Sequence, residues 1–258
     1  MGVLRRASAN LQLGARVVVL SPHLDDAVLS LGATIARTAR SGSDVKVVTV
    51  FAGNPDSTAP AGRWDRFMGF HSAGESCRAR RAEDRLACER LGATPVWLPF
   101  NDDQYGRGAD DDEVWAAMAT AVEDAETVLV PGFPLEHPDH RWLTRVVLVK
   151  GLAGARIGLY AEQPYTWRKA ADPTVPDLIR PLVKGPARWM RLPAQRADRR
   201  AKVRAGRTYR SQLPLLGRLA LWRIVLYEAR SGGEGLALIS DEHTGRGARD
   251  WSEMRPGE

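Results

Sequence analysis

Short runs of β-branched and aliphatic residues, each followed by a loop and then a helix-patterned stretch, recur along the first 160 residues of this chain. The runs lie at 16–21, 45–51, 94–100, 127–130 and 156–160, and helical spacing lies between them at 27–40, 77–91, 110–121 and 141–152. Continuous apolar runs belong to strands covered on both faces, and a helix between successive strands forces them to run parallel. Five strands with four intervening helices predict an α/β, Rossmann-like three-layer fold with a mostly parallel sheet. Sheets of this kind bind ligands where strand carboxyl ends release the chain into the loops.

Past about residue 163 the pattern changes to Pro-interrupted, Arg-rich sequence of helical character, and Gly232, Gly233 and Gly235 lead into a last apolar run at 236–239. The expectation is one domain, with a core over about 15–165 and a helical, Arg-rich C-terminal cap over about 166–258. The net charge of +6 is unevenly spread, because residues 180–210 hold eleven Arg or Lys and one acid, Asp198. Such a segment suits phosphates, an acidic membrane surface or simple solvation. Its arginines and lysines beside Trp189, Met190 and Leu192 are compatible with peripheral membrane contact.

Several classes are disfavoured. No helix-turn-helix, zinc-finger or RNA-binding signature accompanies the basic residues, so no nucleic-acid partner is expected. No apolar stretch approaches the roughly 20 residues of a membrane-spanning helix, and the first residues have no secretory pattern. A cytoplasmic protein is therefore expected. The only cysteines, Cys77 and Cys88, fall within one helical stretch and read as structural thiols. The first strand-helix loop lacks the glycine fingerprint of a dinucleotide site, and its two carboxylates would repel a pyrophosphate. Oligomeric state is left open.

Three of the five histidines fall in two short loops, Pro22-His23-Leu24-Asp25-Asp26 after the first strand and His137-Pro138-Asp139-His140 after the fourth. A catalytic zinc needs about three imidazole or carboxylate ligands and an open position for water. His23 and Asp26, three residues apart at a helix start, supply two ligands on a common side, and His140 supplies the third. Asp25 is then placed to take a proton from metal-bound water, and a His137 imidazolium to stabilise an oxyanion.

These motifs, with Arg80-Arg81-Ala82-Glu83, Ala87 and Leu91-Gly92 between them, resemble the PIG-L deacetylase family, also called LmbE-like, over about residues 15–165. The resemblance implies a zinc-dependent N-deacetylase of an N-acetylglucosamine-type substrate, with another divalent metal accepted by the same ligands. It assigns His23, Asp26 and His140 to the metal, Asp25 as general base and His137 as oxyanion stabiliser. It also gives Asp139 the task of orienting its neighbouring histidine and Arg80 a contact to substrate. On spacing alone, Arg80 and Glu83 also form a helix-surface pair.

The family more usually has HisProAspAsp where this chain has His23-Leu24-Asp25-Asp26, and the variant is similar to members of antibiotic and other secondary-metabolite pathways. A small-molecule amino-sugar conjugate is thus the expected partner, such as a glycopeptide antibiotic or an aminoglycoside precursor. A low-molecular-weight thiol precursor and a lipid- or nucleotide-linked amino sugar are the alternatives. Trp64, Tyr165 and Trp167 are candidates to stack on a sugar ring. A non-catalytic sugar- or nucleotide-binding protein is the reading from a different class.

Overall fold

The computed structural model describes residues 12–239, apart from 107, 153, 170, 184–186 and 218. Its sheet begins with five parallel strands, β1 (Arg16–Ser21), β2 (Asp44–Thr49), β3 (Thr94–Trp97), β4 (Thr127–Phe133) and β5 (Arg156–Ala161). Two antiparallel strands extend it, β6 (Arg188–Leu192) and β7 (Glu234–Leu238), and the order across the sheet is β3-β2-β1-β4-β5-β7-β6. The chain reverses direction across the sheet between β1 and β4, which makes the crevice above those two strands the topological switch point.

Successive side chains of a strand point to opposite faces, and β1 follows this rule. Val18 and Leu20 join one core with Met118 of α4 (Asp111–Ala121) and Leu143 of α5 (Pro138–Lys150). Val17 and Val19 join the other with Leu31 and Ile35 of α1 (Asp26–Arg40), Leu91 of α3 (Ala73–Leu91) and Ala205 of α7 (Arg196–Gly206). All four β1 valines and leucines are essentially sealed from solvent, each worth about 1.5–3 kcal/mol of burial.

The structure departs from the sequence reading in three places. The C-terminal part is not purely helical, since β6 and β7 pair with each other and β7 pairs with β5. β6 reads Arg-Trp-Met-Arg-Leu, and its Trp189 and Leu192 are buried in the sheet, so these residues are not a membrane-facing surface. A short helix, α2 (Arg63–Phe67), occupies the connection between β2 and α3. Three further α-helices lie among the described residues, α6 (Tyr165–Lys169), α8 (Leu213–Leu216) and α9 (Ala220–Ser231). Cys77 and Cys88 are both free and buried.

Candidate metal centre

The loop after β1 is shaped by its own side chains. Ser21 Oγ donates to the His23 carbonyl at 2.6 Å and accepts the Ala27 amide at 3.0 Å, while the His23 amide donates to Asp26 Oδ2 at 3.0 Å. This turn brings His23 back over the first turn of α1, where Asp26 stands. Across the switch point, His137 caps α5, its Nδ1 accepting the Asp139 amide at 3.2 Å. Pro138 follows at the first helical position, where its missing N–H costs nothing. Asp139 and His140 then fall in the first turn of α5 and are fully buried.

Three donor atoms converge between the two helix starts. Asp26 Oδ2 lies 3.2 Å from His23 Nδ1 and 3.1 Å from His140 Nε2, and the two ring nitrogens are 3.4 Å apart. Ligands about 2.0–2.1 Å from a tetrahedral zinc stand roughly 3.3–3.4 Å from one another, so this triangle has the size such an ion requires. His137 lies at its edge, with a ring nitrogen within 4.8 Å of those of His23 and His140.

Each of the two facing rings is held from behind by a buried carboxylate. His23 Nε2 is 3.1 Å from Asp139 Oδ2, and His140 Nδ1 is bonded to Glu162 Oε2. Glu162, just past β5, is a residue of this cluster that the two-loop reading missed. It lies at a strand carboxyl end, and extending the search from strands one and four to strand five would have reached it. Asp139 was expected to serve its neighbour in sequence; its closer partner is His23, with His137 Nδ1 3.8 Å away.

The electrostatics describe a site built for positive charge. Burial disfavours an ionised Asp26, yet the charge and hydrogen bond of His140 and the bond from His23 hold its carboxyl far below the usual carboxylate range. Burial likewise opposes protonation of His140, but Asp26 and Glu162 carry it up to about 9. His23 is also raised, against its burial, by Asp139 and Asp26. Two imidazoles that attract protons at the same point as a carboxylate offer a cation the same attraction. The residues present fit a divalent metal.

Asp25 is the N-cap residue of α1 and spends no side-chain bond on capping. Burial, then the negative charge of Asp26, pushes its carboxyl up to about 7. His137 is displaced the other way, lowered by burial and then by the charges of His23 and His140. With Nδ1 accepting a backbone amide, its proton resides on Nε2, 3.9 Å from Asp103 Oδ1. Both effects, burial and the neighbouring charges, work against the charged form of His137.

Arg80 and Glu83 do not pair. The Arg80 guanidinium is bonded to Asp65 of α2, and Glu83 accepts from the amide and hydroxyl of Ser211 at 2.9 and 2.7 Å. Asp65 is fully buried and also accepts from Ser76 Oγ at 2.9 Å, Gln104 Nε2 at 3.4 Å and the Tyr105 hydroxyl. The charge of Arg80 is felt at Asp25 and at Asp102. Asp102, beyond β3, has a buried Oδ1 with no hydrogen-bond partner, and Arg80 Nε is likewise unpartnered. Of the three aromatic candidates, Tyr165 stands edge-on to His140 with ring centres 5.8 Å apart, Trp167 lies under the Arg223 guanidinium at 5.4 Å, and Trp64 is half exposed.

Comparison with known structures gives the same fold. A triple mutant of a deacetylase involved in the teicoplanin biosynthetic pathway is 26% identical, with a TM-score of 0.70, over 88% of this chain and 99% of that one. The A40926 pseudoaglycone deacetylase Dbv21 matches at 23% identity and TM-score 0.69, over 87% of this chain and 96% of that one. The N,N'-diacetylchitobiose deacetylase of Pyrococcus horikoshii follows at 19% identity and TM-score 0.55, over 89% and 87% of the two chains. Among curated protein sequences nothing matches. The family profile described as GlcNAc-PI de-N-acetylase, PIG-L, matches residues 18–149, more than half of the chain and both histidine loops. The chain therefore belongs to the PIG-L family and is a metal-dependent N-deacetylase.

Proposed function

We propose that this enzyme is a zinc-dependent hydrolase that removes an N-acetyl or related N-acyl group from an N-acetylglucosamine-type sugar carried by a glycopeptide antibiotic or similar secondary metabolite. The observation that carries the zinc reading is the triangle of His23 Nδ1, Asp26 Oδ2 and His140 Nε2, with sides of 3.1–3.4 Å. The pathway reading is supported by the teicoplanin-pathway deacetylase, which covers nearly its whole length against this chain.

His23, Asp26 and His140 hold the metal in this reading, with Asp139 and Glu162 fixing the two rings. Bound zinc supplies an acidified water and polarises the amide carbonyl. Asp25, with a carboxyl poised near neutrality, accepts the proton of the attacking water. The water oxygen bonds to the acyl carbon, the carbon-nitrogen bond breaks, and Asp25 returns the proton to the departing amine. His137 donates from Nε2 to the oxygen on which negative charge develops. Asp102 Oδ1 and the Arg80 guanidinium offer an acceptor and a donor to the sugar hydroxyls.

The test measures metal content together with acetate release from a panel of N-acetylglucosamine conjugates, with and without a chelator. The panel spans glycopeptide, aminoglycoside-precursor, thiol-precursor, lipid-linked and nucleotide-linked substrates. Chelator-sensitive release, restored by zinc and greatest on the glycopeptide, supports the full reading. Preference for another acceptor overturns its substrate half, and release unaffected by metal removal overturns its zinc half.

A further inference from the structure

The C-terminal helices carry a surface that the active site does not use. Leu219, Trp222 and Leu226 are 55%, 52% and 49% exposed. Trp222 and Leu226 lie on one side of α9 and Leu219, its N-cap residue, stands three residues before Trp222, while Leu221, Ile224 and Glu228 are buried on the other side. Single exposed apolar residues are ordinary, but three large ones on one helix and its N-cap are an unpartnered face.

The exposed charge carried by this segment has one sign. Every exposed charged side chain described between residues 194 and 233 is an arginine. The two acids of the segment are buried and engaged, Asp198 with Arg40 at 2.5 Å and Glu228 with Lys202 at 2.6 Å. The cations also reach the apolar stripe itself, since the Arg207 guanidinium lies 5.3 Å from the centre of the Trp222 ring. An apolar stripe with an interfacial tryptophan, flanked by arginines and with no exposed acid in its own segment, combines the two attractions that hold a helix in the headgroup region of an anionic bilayer.

We propose that this face docks on an anionic lipid surface, with Leu219, Trp222 and Leu226 entering the headgroup region and Arg207, Arg210 and Arg223 meeting lipid phosphates. A nucleic acid would engage the arginines and leave the three apolar side chains in water. A second copy of the chain would cover the apolar residues but would bring arginines against arginines across a symmetric contact. A lipid surface satisfies both features. α9 packs against α6, and Tyr165 of α6 lies against His140, so docking holds the catalytic crevice one short helix from the membrane. The inference stands independently of the substrate assigned above.

The experiment is cosedimentation of the full-length protein with vesicles of phosphatidylglycerol and phosphatidylcholine, against vesicles of phosphatidylcholine alone. The expected result is binding to the anionic vesicles that falls by about tenfold or more when salt is raised from 0.1 to 0.5 M. Brominated lipid should quench tryptophan emission less in Trp222→Phe than in the parent. The triple variants Leu219→Ser/Trp222→Ser/Leu226→Ser and Arg207→Gln/Arg210→Gln/Arg223→Gln should each lose about tenfold or more of the binding, with their thermal unfolding unchanged, because all six side chains are exposed. Equal binding to neutral vesicles, undiminished binding by the apolar variant, or capture by random-sequence DNA without capture by vesicles would each overturn the proposal. So would self-association, seen by sedimentation velocity, that the apolar variant abolishes.

Discussion

Glu162 fixes His140 and Leu135 at once. One carboxylate oxygen takes the Nδ1 of His140, and the other accepts the Leu135 amide at 2.9 Å, where the backbone has φ of 60°. A leucine in the left-handed region is held there at a cost of order 1–3 kcal/mol, so Glu162 binds together a strained turn and a candidate ligand. Glu162→Gln should lower zinc affinity by about 10–100-fold, and His140→Ala should lower it further. Competition against a chromophoric chelator measures both. Unchanged affinity in Glu162→Gln would remove this residue from the site.

Asp25→Asn should separate binding from turnover. The amide cannot accept a proton, so acetate release should fall by about 10²–10⁴-fold while metal content stays at the parental level. Retention of parental turnover would remove Asp25 from the role of base.

Arg80 and Asp65 should show the asymmetry of a buried pair. Arg80→Ala leaves the Asp65 carboxylate uncompensated and should cost about 3–5 kcal/mol, whereas Arg80→Ala/Asp65→Asn should recover much of that loss. If Arg80 contacts substrate, both variants should keep a raised KM, because stability returns and the guanidinium does not. Thermal melts and steady-state kinetics on the same two proteins decide the matter. Recovery of KM in the double variant would make Arg80 structural only.

Glu228 should leave a pH signature on stability. Burial, opposed by Lys202 and reinforced by Glu234, pushes its carboxyl from 4.5 up to about 8. A raised carboxyl is more readily protonated in the folded chain than in the unfolded one. Its contribution is therefore complete below about pH 4.5 and is lost as pH rises through 8. The parent should lose melting temperature between pH 5 and 8 more steeply than Glu228→Gln, which has no proton to release there. Parallel slopes for the two proteins would contradict the shifted carboxyl.

The parallel half of the sheet was legible because buried strands such as Val-Val-Val-Leu read as continuous apolar runs, each closed by a turn and followed by a helical period. β6 was not. Arg188 and Arg191 interrupt it, and its strand character comes from pairing with β7, more than forty residues away. α2 escaped because five residues carry too little periodicity. His23, Asp26 and His140 could be grouped from sequence because two loops leave neighbouring strands at the switch point. Glu162 was reachable only as one more polar residue at a strand end, and Asp102 not at all, since a carboxylate shows its task only when the fold brings it to an imidazole or leaves an oxygen buried without a partner.

Glu234, in β7, accepts the backbone amides of Ala33 and Thr34 at 2.9 and 2.7 Å, in the middle of the helix whose first turn carries Asp26, and it also pairs with Lys202 at 2.7 Å. Ser30 of the same helix accepts the Gln163 amide at 3.0 Å. The two histidine motifs end near residue 140, but the helix that presents the first of them is moored to a strand near the far end of the described chain. A chimera that joins the first 165 residues of this enzyme to the C-terminal part of a relative would exchange the mooring and keep the helix. Recombination within this fold should therefore preserve activity only when α1 and β7 come from the same parent.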